Sequence, residues 1–222
     1  MQDVSRRKYL KTSLMTAGTL LFAGRVKANT CSLTPAQTEG PFYPIEDQND
    51  KDNDLTQVRG SRESAQGEVV IMYGKVTDQN CLPVTGAMVE IWQACASGKY
   101  NHPGDPNPAK LDPNFQYWGR AVTNKLGEYQ FKTIKPGHYQ ATSTWMRPAH
   151  IHMKVHKRGF EELTTQVYFK DDPYNAEDRI LQSLSVTEQN NVTVDFKKAV
   201  NAQGKPISGP RKGQFDISIR SY

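Results

Sequence analysis

Along much of the chain, apolar and polar residues alternate with a period of two, and the runs are separated by clusters of Gly, Pro, Asn and Asp. Residues 87–94 show it most clearly: Met88, Glu90 and Trp92 interleave with Val89, Ile91 and Gln93, the signature of a half-buried strand. Residues 68–77 (EVVIMYGKVT) are rich in β-branched and aromatic side chains and predict the first strand. Further short strands are predicted at 149–156, 163–169, 191–196 and 215–220. Residues 118–134 read as a hairpin-like pair turning at 124–127. A helical pattern occurs at 175–184 (NAEDRILQSL), short and peripheral. Many short strands divided by turn signals predict an all-β fold, an antiparallel β-sandwich with little helix.

Two stretches interrupt this pattern. Residues 32–67 are polar and irregular, which predicts an N-terminal arm or long surface loop over 29–67 ahead of a sandwich domain at 68–222. Residues 95–117 are loaded with Pro, Gly, Asn and Asp, and loops this long inside a domain usually carry function. At 222 residues the chain has room for a sizeable core, although only 36% of it is apolar.

The N-terminus stands apart. Residues 5–11 (SRRKYLK) precede the small and apolar run TSLMTAGTLLFAG and then Val26-Lys27-Ala28, which describes a cleaved export signal over 1–28. The Arg6-Arg7 pair resembles a twin-arginine signal, implying a periplasmic protein exported already folded, often with a cofactor in place. The charge then changes meaning. The whole chain has 28 basic and 23 acidic residues, but residues 1–28 hold six of the former and one of the latter, leaving 22 of each. A mature chain of zero net charge gives no reason to expect nucleic-acid binding. No later segment is long and apolar enough to span a bilayer, so no membrane association is expected after signal cleavage. Cys31, Cys81 and Cys95 form an odd set without C-x-x-C spacing; a Cys31–Cys81 bridge is one pairing that an exported protein permits.

The candidate chemistry lies in residues 147–152 (RPAHIH). On a strand, His150 and His152 project to the same face, with Ile151 opposite, and His-x-His on a strand offers two nitrogen ligands to a metal. Taken alone, the motif fits a surface pair better than a metal site. His156 continues the same face as a third ligand, a supporting partner or an exposed side chain. His102 and His138 complete no familiar metal spacing, and there is no H-E-x-x-H or Asp-rich calcium loop. Remaining donors are carboxylates and tyrosines; a phenol ionises near pH 10, so tyrosine serves only a strongly Lewis-acidic ion such as Fe(III).

Six segments taken in order, VEIWQACASGKY, LDPNF, GRAVTN, GEYQFKTIKPGHY, RPAHIH and TTQVYF, resemble the intradiol ring-cleavage dioxygenases, and within them the protocatechuate 3,4-dioxygenase β-chain type. The resemblance is good over residues 38–169, from TEGPFYP onward, and loose thereafter. It implies one mononuclear non-haem Fe(III) held by Tyr100, Tyr139, His150 and His152, with no organic cofactor. It makes Arg147 the residue that offsets negative charge on the reacting substrate and places Gln166 near the site. Tyr139 becomes the tyrosinate that leaves the iron and takes up a proton when substrate binds. The implied reaction cleaves a catechol-type ring with O2 between its two hydroxylated carbons, giving a cis,cis-muconate-type diacid.

Residues 140–146 (QATSTWM) depart from the family pattern by being shorter than in the protocatechuate enzymes, and Cys95 replaces a small polar residue. Pocket walls are expected from TEGPFYP, residues 101–115 and residues 140–146. Oligomeric state stays open: relatives of this type pair unlike chains, whereas this chain carries all four ligands and admits a homo-oligomer. The competing reading is a β-sandwich module that binds catechols or an iron siderophore without turnover, because a fold does not by itself imply a function.

Overall fold

The alternation seen in the sequence becomes two facing sheets in the computed structural model, which describes residues 30–48 and 50–222. The export-signal reading of residues 1–28 lies outside the described residues. Among the described residues the strands are β1 (Val69–Asp78), β2 (Met88–Trp92), β3 (Trp118–Val122), β4 (Glu128–Ile134), β5 (Tyr139–Thr142), β6 (Trp145–Arg147), β7 (His150–His156), β8 (Leu163–Phe169), β9 (Thr193–Val194), β10 (Arg211–Gln214) and β11 (Ile217–Ile219), with one α-helix, α1 (Val186–Val192). One sheet centres on β1, flanked by β4, β10 and β11; the other runs β3-β2-β7-β8-β9; β5 and β6 form a separate ribbon. Most neighbours are antiparallel, but β1 pairs in parallel with β10 and β11, and β8 with β9. The all-β sandwich expectation is met, with mixed rather than purely antiparallel sheets.

The main core lies between the layers. Val70, Met72 and Val76 of β1 and Phe131 of β4 meet Val89 and Ile91 of β2 and Ile151, Met153 and Val155 of β7. Period-two alternation therefore sends the opposite set of β7, His150, His152, Lys154 and His156, to the far face of the second sheet. That far face is also covered near β2: Trp92, Tyr100, Trp118 and Tyr139 form a second buried cluster under Phe42 and Tyr43 of the arm.

Three local expectations are corrected. Residues 118–134 do not pair as a hairpin: β3 bonds to β2 and β4 to β1, so the turn at 124–127 crosses between layers. Its Gly127 has φ +74, and a Cβ there would sit 2.5 Å from the Val76 carbonyl oxygen. The helical pattern at 175–184 forms only two 3-10 turns, Asn175–Glu177 and Leu181–Ser183, because the chain is extended at Asp178. There the carboxylate accepts the Ile180 and Leu181 backbone N–H groups, a side-chain bond that competes with helix. The α-helix begins just beyond, where Ser185 and Glu188 form a capping box. It runs to Val192, so the strand expected at 191–196 shrinks to Thr193–Val194.

The first part of the arm is tied down. A Cys31–Cys81 disulfide joins it to the connector after β1, leaving Cys95 free and buried. Thr165 Oγ1 donates to the Pro35 carbonyl, and Gln166 Nε2 to that of Thr38. Among the described residues, no helix is long and apolar enough to cross a membrane.

Candidate metal centre

Sheet register assembles the site row by row. Trp92 on β2 lies opposite His152 on β7, and His152 lies opposite Gln166 on β8; one step along, His150 lies opposite Tyr168. The β5–β6 ribbon pairs Tyr139 with Arg147. Tyr100 comes from the loop after β2. That loop and the segment before β5 cross backbone to backbone: Gly137 N–H donates to the Cys95 carbonyl, and Gly98 lies so close that a Cβ would sit 2.1 Å from the His138 carbonyl oxygen. This crossing brings Tyr100 and Tyr139 side by side.

The four candidate donors converge. Tyr100 Oη lies 3.3 Å from His150 Nε2. Ring centroids are 5.5 Å apart for Tyr100 and Tyr139, 5.7 Å for Tyr139 and His150, and 4.9 Å for His150 and His152. All four side chains are buried. His150 Nδ1 donates to the Pro148 carbonyl at 2.7 Å, which fixes the neutral tautomer and leaves Nε2 as its donor atom. His152 is held differently: its ring stacks on Trp92 at 4.9 Å and 11°, and its Nδ1 is buried without a hydrogen-bond partner.

The electrostatics keep these groups neutral. Burial, reinforced by Arg147, holds the His150 imidazolium form well below the usual histidine range and pushes His152 down to about 3. Burial raises the Tyr100 phenol well above its ordinary value, with the neighbouring Tyr139 adding to it. Burial also raises Tyr139, and Arg147 partly offsets this. Lone pairs on both imidazoles are therefore free at neutral pH, while the phenols need a cation before they ionise.

Arg147 is itself buried, with three directed contacts: Nε to Asp178 Oδ2 at 2.7 Å, Nη2 to Gln166 Oε1 at 2.6 Å, and Nη1 to Tyr139 Oη at 3.5 Å. Gln166 also accepts from Tyr168 Oη and donates to the Thr38 carbonyl, so its amide lies beside the candidate donors with both ends engaged. The other histidines stand apart. His138 points away from Tyr139 to Asp172 at 2.6 Å, His102 packs on Phe42 and accepts from Gly104 N–H, and His156 is exposed beside Glu162. Of the three options left open for His156, it takes the exposed one.

The donor set fits a hard cation. Among the described residues, no three His, Cys, Asp or Glu side chains converge on a metal position, so a cation here would draw on the two phenols as well as the two imidazoles. Two neutral imidazoles and two buried phenols suit an ion acidic enough to ionise tyrosine. Cavity size does not find this place. A surface cleft of about 820 Å3 is lined by Tyr73, Lys75, Arg120 and Glu128 and contains none of these groups. Tyr139 instead opens on a cleft of about 460 Å3 with Met146, Gln140 and Pro106, drawn from two of the three segments expected as pocket walls. The third supplies Phe42, whose ring lies 4.8 Å from Tyr100. Sequence reasoning missed Asp178 and Tyr168. Asp178 lies within a stretch of helical periodicity, and Tyr168 lies within TTQVYF with no distinguishing spacing.

Comparison with known proteins agrees with this architecture. A family model described as Dioxygenase matches residues 38–220. The chain is 36% identical over 184 residues to the protocatechuate 3,4-dioxygenase beta chain of Burkholderia cepacia, covering 81% of this chain and 76% of that one. It is 30% identical to a hydroxyquinol 1,2-dioxygenase of Rhizobium sp. (strain MTP-10005), spanning 67% of this chain and only 52% of the relative. An intradiol ring-cleavage dioxygenase from Tetranychus urticae superposes with TM-score 0.63 at 25% identity, covering 86% of this chain and 95% of that chain. With its sandwich fold and a family match over most of its length, the chain belongs to the intradiol ring-cleavage dioxygenases.

Proposed function

We propose that Tyr100, Tyr139, His150 and His152 hold one mononuclear Fe(III), and that the chain cleaves a catechol-type ring between its hydroxylated carbons. Both atoms of O2 enter the product, a cis,cis-muconate-type diacid. The observation that carries this reading is the convergence of two buried phenols and two neutral imidazoles beside a buried arginine. When bound, Fe(III) supplies Lewis acidity toward a chelating catecholate and the redox coupling between ring and O2. The chain's own residues do the rest. His150 and His152 stay neutral and keep their lone pairs. Tyr139, the phenol in contact with Arg147, is suited to exchange a proton with an incoming catechol hydroxyl. Arg147 faces Tyr139 through Nη1 and offsets negative charge on the bound substrate. Phe42 and Tyr43 of the arm pack over the cluster and shield it from water.

The test is oxygen uptake across protocatechuate, catechol, hydroxyquinol and substituted catechols, with the product identified. Uptake with an intradiol diacid and a red, iron-containing protein supports the reading. Catechol binding without oxygen consumption would replace it with a binding role.

We further infer export through residues 1–28, with the mature protein in an oxidising compartment. The Cys31–Cys81 disulfide supports this, because such bonds persist outside the cytoplasm. Replacing Arg6 and Arg7 together by Lys preserves the charge and is expected to abolish twin-arginine export; undiminished periplasmic accumulation refutes that route.

A further inference from the structure

Arg147 does not reach the donor cluster as a free side chain. Its Nε meets Asp178 Oδ2 at 2.7 Å, and both side chains are almost wholly buried. Both oxygens of Asp178 are engaged: besides Oδ2 on Arg147, Oδ1 receives the backbone N–H groups of Ile180 and Leu181 at 3.1 and 2.8 Å. The guanidinium's Nη2 is fixed by Gln166, itself anchored to the arm at Thr38. With Nε and Nη2 committed, Nη1 remains directed at Tyr139. A buried ion pair contributes little to stability compared with a well-packed apolar pair, but it holds a guanidinium charged and oriented before charge develops nearby.

We propose that Asp178 is the positioning residue for Arg147, and that the break between the two 3-10 turns exists to deliver this carboxylate. The inference rests on the reading of Arg147 as the partner of the substrate's negative charge. Asn cannot replace Asp178 silently. Three donors face its two oxygens, and an amide must turn its NH2 toward either Arg147 or the 180–181 backbone.

Two measurements test it. The first is 15N NMR of the metal-free full chain. A slowly exchanging Arg Nε–H signal that disappears in Arg147→Gln is expected, distinct from those of Arg120 and Arg211, whose Nε atoms also meet carboxylates, and it should lose its protection in Asp178→Asn. A wild-type protein without such a signal overturns the proposal. The second is a kinetic cycle with iron-loaded wild type, Asp178→Asn, Arg147→Gln and the double variant, using whichever catechol the wild type consumes. Asp178→Asn is expected to retain full iron content and its visible band while kcat/KM falls about 10- to 100-fold, part of the ~10²–10³ cost of losing a charge-stabilising donor. Added to Arg147→Gln, it should change kcat/KM less than about twofold, because it acts through that residue. A full independent loss on the Arg147→Gln background overturns the proposal. If Asp178→Asn alone does not fold, the double variant, in which both charges are gone, is compared with Arg147→Gln; equal kinetics support positioning, and a further loss refutes it. If the wild type consumes no oxygen with any catechol, the functional reading fails, while the NMR measurement still decides whether Asp178 orients Arg147.

Discussion

Of the four proposed ligands, Tyr100 and His152 have the surroundings that make the sharpest claims. Burial keeps the Tyr100 phenol protonated far above the usual range, so only a strongly acidic ion makes it a tyrosinate. Tyr100→Phe is expected to lose iron retention and visible colour together, as measured by metal analysis and absorption; an unchanged spectrum removes Tyr100 from the ligand set. His152 departs from the usual arrangement in which the second ring nitrogen of a ligand histidine is hydrogen-bonded. Its orientation rests on the stack with Trp92, which Tyr43 in turn meets edge-on at 4.9 Å. Trp92→Leu should weaken iron binding by about 10- to 100-fold, the range seen when a supporting contact to a ligand is lost. Trp92→Phe, which preserves a stacking face, should weaken it less. A competition titration with a chelator separates the two.

Between elements, the decisive contact is the crossing of the 95–100 loop with the segment before β5. Gly98 has φ +80 and no room for a Cβ, and a Cβ on Gly137 would sit 2.4 Å from the Ala96 carbonyl oxygen. These glycines permit two backbones to touch, and the touching backbones set Tyr100 against Tyr139. Gly98→Ala should push the loops apart and cost both thermal stability and iron retention. Retention of full iron content with wild-type melting would show that the crossing does not position the tyrosines. The same scale explains the broken helix: its periodicity was legible, but the pull of Arg147 on Asp178 was not, because the partner lies 31 residues away. The 118–134 segment failed as a hairpin for a related reason. Its turn is local and correct, while the choice of β1 and β2 as partners belongs to the two sheets.

Across the whole molecule, the arm acts as a strap over the far face of the second sheet, fastened by Cys31–Cys81 across 50 residues. Removing both cysteines should lower stability by about 2–5 kcal/mol, the usual cost for a native disulfide; denaturant unfolding with and without reductant measures it. Acid should also destabilise the metal-free protein through His150 and His152. Both are depressed in the folded state, chiefly by burial and then by Arg147, so the unfolded chain takes up protons first as pH falls below about 6.5. Stability is fully present above that value and declines as pH drops toward the folded value of about 3 for His152. A melting temperature that stays flat from pH 7 to about 4.5 contradicts this origin.

The sequence by itself determined the strands with clear alternation, the face shared by His150 and His152, the long loops and the family, because these depend on local periodicity or on ordered motifs. It also presented the residues proposed as ligands, since Tyr100, Tyr139 and the histidine pair lie inside those motifs. Tertiary structure decided which strands pair, that the arm covers the site, and that Trp92, Asp178 and Tyr168 support it. Those choices depend on buried contacts between residues far apart in the chain, where no local pattern records the partner.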